Sequence, residues 1–354
     1  MKIVVDDKIP YIRETLEQLA DEVVYKKGLE IGPEDVKDVD ALIVRTRTRC
    51  DEQLLKGSKV QFVATATIGY DHIDTTWCEQ NGIEWTNSPG CNSGSVAQYI
   101  ESVLLSLNPS EGGGLVGLTL GVVGCGHVGS KVCRVGEQLG MRVLVNDPPL
   151  ASQKPAERRD FPTDSILPLP LERVGVRLFV SLETIAREAD IITFHVPLDE
   201  TTRYLADEAF FKKLRRQPVI INSSRGGVVD EAALLRAMDE DRVSQAVIDT
   251  WEHEPDISRT LLNKAFIATP HIAGYSADGK VNADNMVVEA LCRHFSLPQP
   301  PPIQAPKLPK DFQYTGNPLE LYNAMNDSRK LKTCPESFED LRGNYPLRRE
   351  FFDQ

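Results

Sequence analysis

The chain has 354 residues, of which 41% are hydrophobic and 26% charged, and a formal net charge of -12. That much apolar material fills real cores and suits two domains, while the acidic balance excludes a general nucleic-acid or membrane-surface binder, each of which needs a positive face. A local basic pocket for a small anion remains compatible with it.

The opening "MKIVVDDKIP" brings charges at once, offers no apolar core of signal-peptide length, and no later run approaches the ~20 apolar residues of a membrane span. A cytoplasmic protein is expected. Seven cysteines at 50, 78, 91, 125, 133, 292 and 334 are scattered without a C-x-x-C pair and read as reduced thiols, Cys91 in "SPGCNSGS" being the strongest candidate for anything more.

The runs "KIVVDD", "ALIVRT" and "QFVATA" are short and rich in β-branched residues, and charged amphipathic stretches such as "YIRETLEQLADEV" separate them. The spacing predicts βαβ units. "GCNSGSVAQYIESVLLSL" reads as a capped helix, "NPSEGGGLVG" as a turn, and the punctuation then resumes with "LTLGVVGCG", "MRVLVND", "DIITFHVP", "PVIINSS" and "SQAVIDTW". The prediction is an α/β protein of two doubly wound, Rossmann-like parallel-sheet domains. Residues 1–94 and 275–297 are expected to form one domain, and 95–274, inserted into it, the other. The segment 151–180 reads as a surface excursion. "VNADNMVVEALCRHF" begins a further helix, and the proline-dominated 298–309 reads as an extended spacer, so that 298–354 is a spacer plus a small C-terminal module.

G-x-G-x-x-G at Gly124, Gly126 and Gly129 follows a strand-like run and opens a helix, and Asp147 ends the next run. In that context the motif is a dinucleotide site: one glycine for the turn, one for approach of the pyrophosphate, one for helix packing, with the helix amides receiving phosphate. Asp147 would accept from the ribose hydroxyls and repel a 2′-phosphate, which favours NAD over NADP.

Hydride transfer to a nicotinamide needs a group that manages the accompanying proton. "DTWEHEP" at 249–255 raises the choice between a metal site and an acid/base site, since consecutive side chains diverge on a strand or helix and converge on one ion only in a contorted loop. Arg225 in "INSSRGGVVDEAAL", Glu254 in "DTWEHEP" and His271 in "TPHIAGY" each follow an apolar run, at the carboxyl ends of strands where open α/β sheets bind ligands. Singly, each has an ordinary structural reading: a surface arginine, a solvated glutamate, a satisfied histidine. Beside a cofactor site the three together point to catalysis.

"GVVGCGHVGSKV", "NSSRGGVVDEAAL", "DTWEHEP" and "TPHIAGY", in this order and spacing, resemble the D-2-hydroxyacid dehydrogenase family across about residues 1 to 290. "TATIGYDHID", "SPGCNSGSVAQYI", Tyr275 and the terminal "LRGNYPLRRE" extend the likeness to a branch acting on a phosphorylated 2-hydroxy acid. The resemblance implies that Arg225 grips the carboxylate, that His271 is the acid/base, and that Glu254 holds the other ring nitrogen. No metal is then expected, and Glu252 and His253 carry no chemistry.

It also puts His127, Val128, Asp147, Val196, Ser223, Ser224, Arg225, Asp249 and Gly274 around the dinucleotide and leaves His195 structural. Thr46, Thr67 and Tyr275 fall on the substrate. Arg45, Arg47 and Arg49 in "VRTRTRC" alternate, so a strand would turn all three to one side as a phosphate-friendly face, or as a solvated basic one. The C-terminal module reads as a shortened dimerisation module, and a homodimer is expected. The same family includes 3-phosphoglycerate dehydrogenases, enzymes of unphosphorylated 2-hydroxy acids and NAD-sensing corepressors, which remain the alternatives.

Overall fold

A computed structural model describes residues 1–107, 114–152 and 178–351. The excursion expected at 151–180 falls, apart from its ends, outside the described residues. Two compact units divide the chain: Met1–Asn92, Tyr275–Phe312 and Leu347–Gln354 form one, Ser93–Gly274 and Gln313–Pro346 the other.

In the first unit β1 (Lys2–Asp6), β2 (Glu22–Lys26), β3 (Ala41–Val44), β4 (Phe62–Thr65) and β5 (Glu84–Thr86) pair in parallel in the order β2-β1-β3-β4-β5. Successive strand residues point to opposite faces, so Ile3, Val5, Ile43 and Phe62 enter one core with Val287 and Leu291, whereas Val4, Leu42, Val44 and Val63 enter another. Apolar layers on both faces explain why these runs are continuously hydrophobic rather than alternating. Val287 and Leu291 belong to helix Ala277–His294, which begins earlier than the sequence suggests because Ser276 caps it, its Oγ accepting the Gly279 N–H at 2.8 Å.

The second unit holds β6 (Thr119–Val123), β7 (Arg142–Asn146), β8 (Leu178–Phe179), β9 (Ile191–Phe194), β10 (Val219–Asn222), β11 (Gln245–Ile248) and β12 (Ile267–Ala268). All are parallel, in the order β12-β11-β10-β9-β6-β7-β8. The order reverses between β6 and β9, the point at which such sheets open a ligand crevice at their carboxyl ends.

The C-terminal region differs from the separate module expected over 298–354. Residues 298–309 carry no regular structure but lie docked on the first unit: Asn285 exchanges two hydrogen bonds with the Ile303 backbone, at 2.8 and 3.0 Å, and Arg349 donates to the Pro306 carbonyl. Helices Ala324–Thr333 and Phe338–Gly343 join the second unit instead, their Leu331 and Phe338 sitting in the same core as Phe194, Ile220, Ile248 and Ala268. The Ala268 N–H donates to Ser328 Oγ at 3.0 Å. Proline content signals the lack of a hydrogen-bonded ladder; it carries no information about which surface the chain lies against.

Leu331 is fully buried. Leu331→Ala should therefore destabilise the second unit by about 2–4 kcal/mol, measured by denaturant unfolding. A cost under about 0.5 kcal/mol, ordinary for surface positions, would show that residues 313–346 are not part of that core.

Candidate active site

The glycine loop runs from the end of β6 into helix His127–Gln138. Gly124 adopts φ +88°, where L side chains are strained, and a Cβ there would lie 2.5 Å from the His195 carbonyl oxygen. A Cβ on Gly129 would lie 1.9 Å from the Gly124 carbonyl oxygen. Gly126 differs: it is exposed, has ordinary φ, and its Cβ would meet nothing within 4 Å. The protein itself has no need of a glycine there, so the missing side chain leaves room for something outside the chain. Gly126 is also the helix N-cap without a side-chain cap, beside exposed His127 and half-buried Val128. These features fit a dinucleotide pyrophosphate over the helix N-terminus.

Asp147, at the end of β7, accepts from the Cys125 N–H (2.7 Å) and the Leu150 N–H (2.9 Å) and so is fixed beside the glycine loop. At the end of β9 the His195 ring bonds Thr193 at 2.9 Å, and burial pushes its pKa down to about 3. With Val196 it packs against Gly124, a structural role. Beyond β10, Ser224 bonds the Asn222 side chain, while the Ser223 Oγ is buried with no partner among the described residues.

The three catalytic candidates come from loops after β10, β11 and β12. Glu254 and His271 meet directly, His271 Nδ1 lying 2.8 and 2.9 Å from the two carboxylate oxygens. Burial pushes the Glu254 carboxyl up, but the bond and charge of His271, the Trp251 N–H (3.0 Å) and Arg342 outweigh it, so it is held below its ordinary value. With Nδ1 taken, the Nε2 of His271 is the nitrogen left to exchange a proton. The Arg225 loop packs on the same segment so tightly that a Cβ on Gly226 would lie 1.9 Å from the Trp251 carbonyl oxygen. The Arg225 guanidinium, half-buried, donates to the Ser224 carbonyl at 2.8 Å.

The rest of "DTWEHEP" diverges. Glu252 exchanges backbone-to-side-chain hydrogen bonds with Glu231, at 2.9 and 3.0 Å, and the His253 side chain is 79% exposed. No cluster of three His, Cys, Asp or Glu suited to a metal occurs among the described residues. Asp249 has a larger structural part than the sequence suggests. Its buried carboxylate accepts from Thr269 Oγ1 (2.7 Å), the Ile272 N–H (2.8 Å) and the Ala273 N–H (3.1 Å), so any contact with a nicotinamide amide is additional. Cys91 is buried and its thiol pushed up to about 12 by burial, an inert group.

In the first unit the expectation for "VRTRTRC" is corrected. β3 ends at Val44 and a turn follows, so the alternating arginines do not share a strand face. Arg45 forks onto buried Asp6 with two bonds of 3.1 Å, and Arg49 bonds Asp51 at 2.8 Å. Thr46, Arg47 and Arg49 are exposed. Strand propensity in "ALIV" gave no sign of this turn, because charged side chains at a strand's carboxyl end fit a turn equally well.

Thr67 lies in a hydrogen-bonded chain: it donates to the Gly69 carbonyl (2.9 Å), so it accepts from Thr65 (2.7 Å), which in turn accepts from His72 Nε2 (3.2 Å). Tyr275 has Lys280 4.6 Å over its ring. The sequence offered no sign of Asp6, Thr65, His72 or Arg342 as partners of candidate residues, since each pairing is created by the fold.

The model of the D-isomer specific 2-hydroxyacid dehydrogenase NAD-binding domain matches residues 104–273. Erythronate-4-phosphate dehydrogenase of Bacteroides thetaiotaomicron is 51% identical, covering 99% of this chain and 97% of its own, and that of Porphyromonas gingivalis is 39% identical over 99% and 94%. The chain belongs to the D-isomer specific 2-hydroxyacid dehydrogenase family. Among solved structures, NAD+-bound 3-phosphoglycerate dehydrogenase of Entamoeba histolytica superposes with a TM-score of 0.66 at 30% identity, over 84% of this chain and 95% of that one. The protein is an NAD-dependent oxidoreductase.

The two glycines should separate experimentally. Gly126→Ala should melt within about 0.5 kcal/mol of wild type yet bind NAD at least about tenfold more weakly, whereas Gly129→Ala should lower stability by more than about 1 kcal/mol. Undiminished NAD binding by Gly126→Ala, followed by fluorescence or calorimetry, would show that the cofactor does not approach that backbone.

Proposed function

We propose that this protein oxidises 4-phospho-D-erythronate to (R)-3-hydroxy-2-oxo-4-phosphooxybutanoate in the formation of pyridoxal 5′-phosphate. The observation that carries the reading is the near-complete coverage of erythronate-4-phosphate dehydrogenases at 51% identity, joined to a Glu254–His271 pair at 2.8 Å. The planar guanidinium of Arg225 grips the substrate carboxylate and C2 oxygen, a geometry that a lysine's point charge holds less rigidly. His271 Nε2 takes the C2 hydroxyl proton as the C2 hydrogen leaves with its electron pair. NAD, bound by the glycine loop and Asp147, supplies the hydride acceptor.

Glu254 fixes the tautomer of His271 and stabilises the imidazolium formed. Asp249, Gly274 and the 223–225 loop contribute to the dinucleotide site. Thr46, Thr67, Tyr275 and the exposed Arg47 bind the substrate, with Arg45 acting through Asp6 to hold the turn that carries Thr46 and Arg47. The working form is a cytoplasmic homodimer.

A turnover survey tests the substrate. Purified protein, with NAD or with a 2-oxo acid acceptor to regenerate it, should turn over 4-phosphoerythronate at a kcat/KM about a hundredfold or more above 3-phosphoglycerate, glycerate and lactate, the discrimination of roughly 3 kcal/mol expected when a site is built around one polar group. Preference for 3-phosphoglycerate would reassign the substrate. No turnover of any, with NAD still bound, would point to a dinucleotide-sensing binding protein.

The pH dependence tests the pair. Glu254→Gln keeps the shape and removes the negative partner, so the imidazolium is less stabilised. In the reduction direction, where His271 must begin protonated, activity should decline at lower pH than in wild type. His271→Gln should lose about 10²- to 10⁴-fold in kcat while retaining NAD. An unmoved Glu254→Gln profile would remove Glu254 from the mechanism.

A further inference from the structure

Arg342 comes from helix Phe338–Gly343, in the stretch that the sequence assigned to a separate C-terminal module. Its Nη1 donates to Glu254 Oε2 at 3.3 Å, with side-chain exposures of 23% and 17% for the two residues. The same Oε2 lies 2.8 Å from His271 Nδ1. One carboxylate oxygen therefore serves two cations whenever His271 is protonated. The charged or titratable groups near this pair include Asp249, under the His271 loop, Glu252 and His253 from the segment before Glu254, Glu231 at the start of helix Glu231–Asp239, Arg225 from the loop packed on Trp251, and Asp256, Arg259, Glu336 and Glu339 around the cavity that Pro255 lines. Against the burial that raises the Glu254 carboxyl, the Arg342 guanidinium acts with His271 and the Trp251 N–H to hold it down.

We propose that Arg342 is a positioning residue for the Glu254–His271 pair: by sharing Oε2 it limits how strongly the carboxylate stabilises the imidazolium, and so sets the pH window in which His271 accepts the substrate proton. The physical reason is simple electrostatics. A fixed cation two bonds' reach from the ring opposes a second positive charge there, and it draws on the negative charge that the ring would otherwise have to itself. Without Arg342 the imidazolium would persist to higher pH, which favours reduction and starves oxidation of neutral imidazole. A lysine would supply the same charge without the planar fork. This inference rests on the acid/base roles given to His271 and Glu254 above.

The test compares Arg342→Gln, Arg342→Met and Arg342→Lys with Glu254→Gln. Two readouts are followed in each: the pH dependence of kcat for reduction of the 2-oxo acid, and the titration of the His271 ring by NMR in protein without cofactor. Arg342→Gln and Arg342→Met should move both midpoints upward by about half to one pH unit, as expected for loss of one partly screened charge. Arg342→Lys should stay within about 0.2 pH units of wild type, and Glu254→Gln should move the opposite way. If Glu254→Gln shifts and the Arg342 variants do not, Arg342 merely packs and the proposal falls while the pair stands. If Glu254→Gln does not shift either, the acid/base reading itself fails. Loss of folding in both Arg342→Gln and Arg342→Met would also overturn the proposal, since the arginine would then hold the fold rather than the pair.

Discussion

A buried carboxylate that bridges two loops underlies the rest of this site. Asp249, just beyond β11, accepts hydrogen bonds from Thr269, Ile272 and Ala273, and its own carbonyl accepts the His271 N–H at 2.9 Å. Between those anchors His271 is held at φ +56°, a left-handed conformation that costs a non-glycine residue of the order of 1 kcal/mol. The clamp sustains that strain because breaking it would strand an acidic side chain only 1% exposed. Burial pushes the Asp249 carboxyl up despite the three donors and the nearby His271, so this is an anchor maintained against a desolvation cost.

Once the loop is fixed, the other contacts need little further ordering. Glu254 reaches His271 because Trp251 both receives the carboxylate on its backbone N–H and ties its indole to the Thr269 carbonyl at 3.0 Å, stitching the two loops a second time. Glu252 turns away to Glu231, which keeps a second acid off the imidazole. The Gly226 backbone closes against Trp251, bringing the Arg225 loop to the same place. Arg225, Glu254 and His271 sit beyond the carboxyl ends of parallel strands, where the sheet is rigid and the loops that leave it are free to carry polar groups that a core would exclude.

The C-terminal segment changes how this machinery is understood. Leu331 and Phe338 complete the core behind β9 to β12, and the helix that bears Phe338 also carries Arg342 to Glu254. Packing and electrostatics are thus linked through one short helix, and a change in that helix would be felt at the Glu254–His271 pair.

Much of the architecture was determined by the sequence alone. Short β-branched runs separated by amphipathic stretches fix a parallel α/β fold, since such strands bury both faces, and the glycine spacing after β6 fixes a tight strand-to-helix turn, because Gly124 and Gly129 cannot carry a Cβ, with Gly126 left open to the outside. The order of "NSSRGG", "DTWEHEP" and "TPHIAGY" singled out Arg225, Glu254 and His271, each at a strand's carboxyl end. Only the tertiary structure decided that Glu252 turns to Glu231, that Asp249 is first a clamp, that Arg45 belongs to Asp6, and that Leu331, Phe338 and Arg342 serve the second unit. Periodicity reports which face of an element is apolar; it is silent on which distant element covers that face, and a single charged residue in a turn has no period at all. Those pairings arise where hydrogen bonds and charges meet across long sequence separation, and the fold alone brings them within reach.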